Sequence, residues 1–214
     1  MKICCISDTH THHEKLTNDI PECDLLIHAG DITYTGRPEK VESFLEWFRK
    51  QPARHKIFIA GNHDWIFHKN PTLARDILKE YPEIIYLQDD WVKLEGLKIW
   101  GSPWTPRFLD WAFNLDESYL ELAWEQIAYN ADIVITHGPM WQVGDFVPRD
   151  RVNVGCKALR HALLKNVRPK LHICGHIHEG FGIYPIDDGA IISVNASSLN
   201  GVYEYTNKPI VIVL

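Results

Sequence analysis

Lys56-Ile57-Phe58-Ile59-Ala60-Gly61-Asn62-His63-Asp64 is the stretch on which the reading of this chain turns. A short apolar run of strand length is ended by a glycine. Behind the glycine stand an amide, an imidazole and a carboxylate. A buried strand that delivers polar groups at its carboxyl end belongs to an α/β layered domain, where ligands bind just beyond the strand ends. The pattern recurs four times. Lys2 to Ile6 is followed by Asp8-Thr9-His10, and Asp24 to His28 by Gly30-Asp31. Asp132 to Thr136 is followed by His137-Gly138-Pro139, and Leu171 to Cys174 by Gly175-His176-Ile177-His178. If those five strands neighbour one another in one sheet, all five clusters converge on one rim.

Between the apolar runs lie helical patterns. Pro38 to Lys50 carries Val41, Phe44, Leu45 and Phe48 on one stripe, with Pro38 suited to the first turn. Pro71 to Tyr81, Asp116 to Asn130 and Gly155 to Asn166 read the same way. Further strands are expected at Ile84 to Leu87, Trp91 to Leu94, Leu97 to Trp100, Ile191 to Val194 and Ile210 to Val213, with Glu95-Gly96 as a hairpin turn. The alternation predicts an α/β domain with a mixed sheet, or two sheets packed together, and helices outside. No linker, repeat or low-complexity tract interrupts it, so one domain is expected over residues 1–214.

Composition narrows the function. The chain has 214 residues, 45% apolar and 23% charged, with a formal net charge of −6. That is ordinary for a globule and excludes a disordered or fibrous class. The acidic balance argues against sequence-independent binding to nucleic acid, which runs on clustered Lys and Arg. The 5 cysteines are odd in number and lack a C-x-x-C pair, which reads as buried free thiols in a reducing compartment. No 18 apolar residues run together, so no membrane span is expected and the cytoplasm is the default. The unusual count is 12 histidines, many of them placed behind strands.

Each cluster alone has an ordinary reading. Asp8 after a strand is a helix cap, Gly30-Asp31 a turn and His137 a core histidine. Together they offer two carboxylates (Asp8, Asp31), one amide oxygen (Asn62) and four imidazoles (His10, His137, His176, His178). Mixed N/O ligands without thiolate suit Mn, Fe, Zn, Ni or Co. Seven ligands, one carboxylate bridging, are enough for two ions about 3.5–4 Å apart, which share a hydroxide at neutral pH and clamp phosphoryl oxygens. Gly30, Gly61, Gly138 and Gly175 provide the sharp turns and close backbone approach such a site needs.

The ordered set D-x-H, G-D, G-N-H-D, H-G-P, G-H-x-H, from Asp8 to His178, resembles the calcineurin-like metallophosphoesterases. Gly101-Ser102-Pro103-Trp104, Thr136-His137-Gly138-Pro139, His176-Ile177-His178-Glu179-Gly180 and Asn195-Ala196-Ser197 resemble a narrower subgroup. It comprises the brain-type metallophosphoesterase-domain proteins and is similar to class III cyclic-nucleotide phosphodiesterases. The resemblance implies an α/β fold built as a four-layer α-β-β-α sandwich of two mixed sheets. It implies that Asp8, His10, Asp31 and His178 hold one ion, and Asp31, Asn62, His137 and His176 a second. It makes His63 catalytic, a donor to the departing oxygen. Two departures from the family pattern stand out. The phosphatase branch has an aspartate just after G-D that orients this histidine, and Gly30-Asp31-Ile32-Thr33-Tyr34-Thr35-Gly36 has none. Brain-type members can carry Gly in place of the first His of G-H-x-H, whereas His176 is present here.

The expected activity is therefore hydrolysis of small phosphodiesters, cyclic nucleotides first, at two divalent ions with Mn²⁺ ranked ahead of Fe, Zn, Ni and Co. The expected partner is a small phosphate ester, a nucleotide included, with neither a membrane nor a nucleic acid. The rivals are a phosphomonoesterase or nuclease of the same fold, and a scaffold that has lost catalysis. For substrate contacts the long loops offer Trp104, Trp141 and Phe146 as stacking surfaces and Arg149 or Arg151 for a phosphate, and His13 follows the first motif. Packing of the loops accounts for the same residues equally well.

Overall fold

The computed structural model describes residues 1–214. Two mixed sheets lie face to face. The first contains β1 (Lys2–Ile6), β2 (Cys23–His28), β3 (Ala53–Phe58), β4 (Ile84–Tyr86) and a late strand, β15 (Ile210–Val213), in the order β15-β1-β2-β3-β4. The second contains β5 (Asp90–Leu94), β6 (Leu97–Ser102), β9 (Ile133–Thr136), β12 (Leu171–Cys174), β13 (Gly182–Ile186) and β14 (Ile191–Asn195), in the order β13-β14-β12-β9-β6-β5. Two short ladders stand apart: β7 (Thr105–Pro106) with β8 (Asn114–Leu115), and β10 (Phe146–Val147) with β11 (Val152–Asn153).

Strand alternation builds the layers. Ile3 and Cys5 of β1 face the space between the sheets, with Leu25 and Ile27 of β2 and Ile133, Ile135, Leu171 and Ile173 opposite. Cys4, Ile6 and Leu26 point the other way, onto Phe44, Leu45 and Phe48 of α1 (Pro38–Arg49) and Ile77 of α3 (Pro71–Leu78), beside the short α2 (Trp65–Lys69). On the far face of the second sheet, Trp100 and Val134 meet Leu120 and Trp124 of α4 (Glu117–Glu125) and Leu159 of α5 (Lys157–His161). The central strands are buried on both faces, which is why they read as unbroken apolar runs. The result is a four-layer α-β-β-α sandwich. No helix is long and apolar enough to cross a membrane.

The five polar clusters do not come from one sheet. Those after β1, β2 and β3 leave the first sheet, and those after β9 and β12 leave the second. They meet because corresponding strand ends of the two sheets open onto one edge of the sandwich. Some boundaries also differ from expectation. The Asp116–Asn130 pattern is helical only over α4, after which Asn130 turns left-handed (φ 59°). Gly155 is held outside α5 because its N–H donates to Asp145, and Cys156 caps the helix through Sγ. Strand β13 was hidden by Gly182 and Pro185. Proline is tolerated there because β13 is an edge strand.

Candidate metal centre

Strand ends that carry ligands turn abruptly. Asp8 (φ 51°), His10 (41°), Asp31 (56°) and His176 (68°) all adopt the left-handed region. Asp and His tolerate it better than most residues, but it still costs energy, and such strain collects at functional sites. Beyond the strands, the first two loops continue as a ladder, with Asp8 N–H donating to the Gly30 carbonyl and His10 N–H to that of Asp31. A Cβ on Gly61 would meet Asp31 Oδ1 at 2.2 Å, and one on Gly175 would meet Asp8 Oδ2 at 2.1 Å. Gly138 is under no such demand, its nearest neighbour there being Thr105 Cγ2 at 3.2 Å.

Three overlapping groups of ligand atoms result. Asp8, His10 and His178 come within 4.8 Å of one another, as do Asp31, His137 and His176, and as do His10, Asp31 and His63. Asp31 lies between the first two. Its Oδ2 is 3.6 Å from His10 Nε2 and 3.3 Å from His137 Nε2, while Oδ1 accepts from the His63 N–H at 2.8 Å. Asn62 Oδ1 faces His137 Nε2 at 2.8 Å.

Backbone carbonyls aim the rings. His137 Nδ1 donates to the Ala29 carbonyl (2.9 Å), His178 Nδ1 to Asn200 (3.0 Å) and His63 Nδ1 to Tyr34 (2.9 Å). An imidazole that spends Nδ1–H in this way leaves Nε2 as a free donor atom for a metal or a proton. Asp8 accepts from the His176 N–H at both oxygens, and its Oδ2 also accepts from Ser197 Oγ.

A cation fits what remains. Both ring nitrogens of His10 are buried and have no hydrogen-bond partner. Nε2 of a neutral His137, its other nitrogen committed to Ala29, confronts two oxygen acceptors. Unpaired buried polar atoms of this kind are costly. Electrostatics agrees. Burial brings His10 down to about 4, so its ring is neutral. Burial pushes Asp31 up, but His137, His10 and His63 outweigh it and hold the carboxylate below its usual range. Burial lowers His137, yet Asp31 and Asp8 raise it to about 9, so without an ion a proton occupies the place between these acceptors.

The structure also separates the expected substrate contacts. A cavity of about 600 Å³ opens over the centre, lined by His10, Asp31, Asn62, His63, His176 and His178 together with Trp111, Tyr203 and an apolar lip. His13, Trp104 and Arg149 do not line it. His13 is 2% exposed beneath Phe44 and Trp47. Trp104 turns inward and donates Nε1–H to Asp89, which also accepts from Ser102. The Arg149 side chain is 91% exposed and reaches only toward Asp150. Trp141 lies beneath the Lys157 ammonium and Phe146 is on the surface.

Four important residues were given no role from the sequence. Tyr34 and Tyr203 stack on each other and each packs on His10. Trp111 covers His63. Asp64, fully buried, accepts from the backbone N–H groups of Gly61, Ile32 and Thr33 and from the Thr33 hydroxyl. It thereby ties the loop after β2 to the loop after β3. Ser197 was visible only as part of the Asn195-Ala196-Ser197 phrase. Replacing Asp64 with Ala strands four donors, and urea unfolding is expected to show a loss of about 3–5 kcal/mol. A loss below about 1 kcal/mol would remove Asp64 from this role.

The comparisons converge on one family. The model for calcineurin-like phosphoesterases matches residues 1–180. Metallophosphoesterase domain-containing protein 1 of Homo sapiens is 39% identical over 234 residues, covering 100% of this chain and 71% of that protein. A probable rhamnogalacturonate lyase C of Emericella nidulans is 36% identical over 194 residues, covering 85% of this chain but 17% of that much longer protein. The crystal structure of TT1561 of Thermus thermophilus superposes with a TM-score of 0.61 at 16% identity, over 91% of this chain and 88% of the other, a likeness of fold.

Proposed function

The chain belongs to the calcineurin-like phosphoesterase family, and from that premise we propose that it hydrolyses small phosphodiesters at a centre for two divalent ions. Asp8, His10, Asp31 and His178 would hold one ion and Asp31, Asn62, His137 and His176 the other. The observation that carries this reading is the placement of Asp31 Oδ2 between His10 and His137. When bound, such a pair supplies Lewis-acid charge for phosphate oxygens and a nucleophile from water at neutral pH. Oxygen and imidazole donors suit Mn²⁺ first, with Fe, Zn, Ni and Co also accommodated.

The chain's own groups do the rest. His63 lines the cavity with Nδ1 held by Tyr34, so Nε2 is the nitrogen that meets the ester. As the P–O bond to the departing group breaks, the His63 imidazolium gives its Nε2 proton to that oxygen, leaving the neutral ring with Nδ1–H still donating to the Tyr34 carbonyl. General acid catalysis of this kind contributes about 10²- to 10⁴-fold.

Charge and shape favour a diester. Arg107 is the one cationic side chain of Lys or Arg type lining the cavity, and it pairs with Asp116 at 2.6 Å. Asp150 lines the cavity too. A second negative charge on a monoester would meet no unpaired Lys or Arg in the cavity, and a net charge of −6 does not favour a duplex. Pro106, Phe108, Leu109, Val147 and Val154 form an apolar lip that suits the organic part of an ester.

The test is hydrolysis of bis-p-nitrophenyl phosphate, 2′,3′-cyclic AMP and p-nitrophenyl phosphate with added Mn²⁺. The diesters should be faster. A faster monoester would overturn the diester assignment, and no hydrolysis of any ester would favour a silent scaffold. Metal removal gives an independent check. At an ion concentration of about 100 Kd, mass action adds about 2.7 kcal/mol to stability. For a chain of this size, that raises Tm by about 5–10 °C over the chelator-treated protein.

A further inference from the structure

His63 has no carboxylate partner. Its Nδ1 rests on the Tyr34 carbonyl at 2.9 Å, one hydrogen bond about which a ring can still swing. The two nearest rings restrict that swing, with Tyr34 farther out at 6.5 Å. His10 meets it edge-on at 4.7 Å and 87°, and the Trp111 indole lies across its face at 4.2 Å between centroids and 34° between planes.

The indole is itself firmly placed. The Ala112 N–H donates to the carbonyl of Asn62 at 3.1 Å, so the residue after Trp111 is hydrogen-bonded to the residue before His63. Ala112 and Phe113 are completely buried. Phe113 takes a left-handed turn (φ 56°) to insert between Trp104 and His68, at 5.3 and 4.9 Å. Thr105 N–H donates to the Phe113 carbonyl, and the Asn114 amide donates to the Phe108 carbonyl. The segment from β7 to β8 therefore wraps as one piece against the loop that carries His63. Strain at Phe113 and a backbone tie to Asn62 are an unusual expense for a mere wall of the cavity.

We propose that Trp111 is the positioning residue of His63, and that with the Tyr34 carbonyl it does the work of the missing carboxylate: it fixes the ring plane so that Nε2 points at the departing oxygen. This rests on the reading of the cavity as a phosphodiesterase site. It accounts for the absence of a second aspartate after Asp31 in Ile32-Thr33-Tyr34-Thr35-Gly36.

The experiment compares the wild type with Trp111→Ala and Trp111→Phe on two diesters. The ribose alkoxide leaving 2′,3′-cyclic AMP needs a proton, and p-nitrophenolate leaving bis-p-nitrophenyl phosphate does not. Trp111→Ala should lower kcat on the cyclic ester by about 10- to 100-fold, with the loss in kcat rather than KM. That loss should exceed the loss on the nitrophenyl ester by about tenfold, and Trp111→Phe should restore most of it. Equal losses on both esters, or none, overturn the proposal. A second readout needs no turnover. In metal-free protein with labelled histidine, the His63 Hε1 resonance, identified by its absence in His63→Asn, should lie upfield under the indole and show the Nδ1–H tautomer. Trp111→Ala should move it downfield, and an unmoved resonance overturns the proposal. If no phosphate ester is hydrolysed while that resonance behaves as expected, the phosphodiesterase reading has failed and the positioning contact has not.

Discussion

Asp31→Ala is expected to lower kcat/KM for Mn²⁺-dependent hydrolysis of bis-p-nitrophenyl phosphate by about a thousandfold or more. Removing the one carboxylate shared by both ligand groups forfeits several kcal/mol of transition-state charge stabilisation, and each 1.36 kcal/mol is tenfold. The geometry explains why this residue should outrank the other ligands. Oδ2 lies 3.6 Å from His10 Nε2 and 3.3 Å from His137 Nε2, so its loss weakens both groups at once. Oδ1 accepts the His63 N–H, so the same loss frees the loop that carries the leaving-group histidine. Asp31→Asn separates the two effects, since an amide oxygen still accepts from His63 but carries no charge. The check is kinetic, with bound metal counted on the same samples. Activity within tenfold of wild type, with two ions still bound, would end the shared-ligand reading.

His63→Asn should reduce turnover of 2′,3′-cyclic AMP by about 10²- to 10⁴-fold, the range that a positioned general acid contributes. The loss on bis-p-nitrophenyl phosphate should be smaller, because p-nitrophenolate departs without a proton. His63 lies on the cavity lining and takes no place among the seven ligands, so metal content should hold and far-UV dichroism should not change. A uniform loss on both esters would make His63 a binding residue, and an unchanged rate would remove it from the chemistry.

Residues that read clearly in the sequence share a physical reason. Ile57 and Phe58 face opposite layers and are both buried, as are Ile59 and Ala60 just beyond, so the run that ends β3 had to be apolar, and the candidate ligand Asn62 behind it had to stand out. Asp8, Asp31, His137, His176 and His178 stood out in the same way. What stayed hidden depends on groups that have no sequence identity or on loops that have no period. The acceptors that aim His137, His178 and His63 are main-chain carbonyls of Ala29, Asn200 and Tyr34, and any residue type supplies one. Trp111 and Tyr203 reach the centre through irregular segments, where left-handed residues set an aromatic's direction: Leu109 and Phe113 turn the 105–114 wrap, and Tyr203 turns at its own φ of 63°. Asp64 stood in the motif, but the two loops it ties together did not. Trp104 shows the converse. It has the composition of a stacking surface, but Asp89 draws its N–H inward. Two sheets were expected, but which strands belong to which was out of reach, because parallel neighbours and facing neighbours both demand apolar runs.

The candidate ligands come from both leaves of the sandwich: Asp8, His10, Asp31 and Asn62 from one, His137, His176 and His178 from the other. Ions seated among them would act as rivets across a seam that apolar packing and a few hydrogen bonds, His137 to Ala29 and His176 to Asp8 among them, otherwise hold shut at that edge. Cargo and clasp would then be the same atoms, and a cell short of the right metal would have a protein that is looser at its mouth as well as idle.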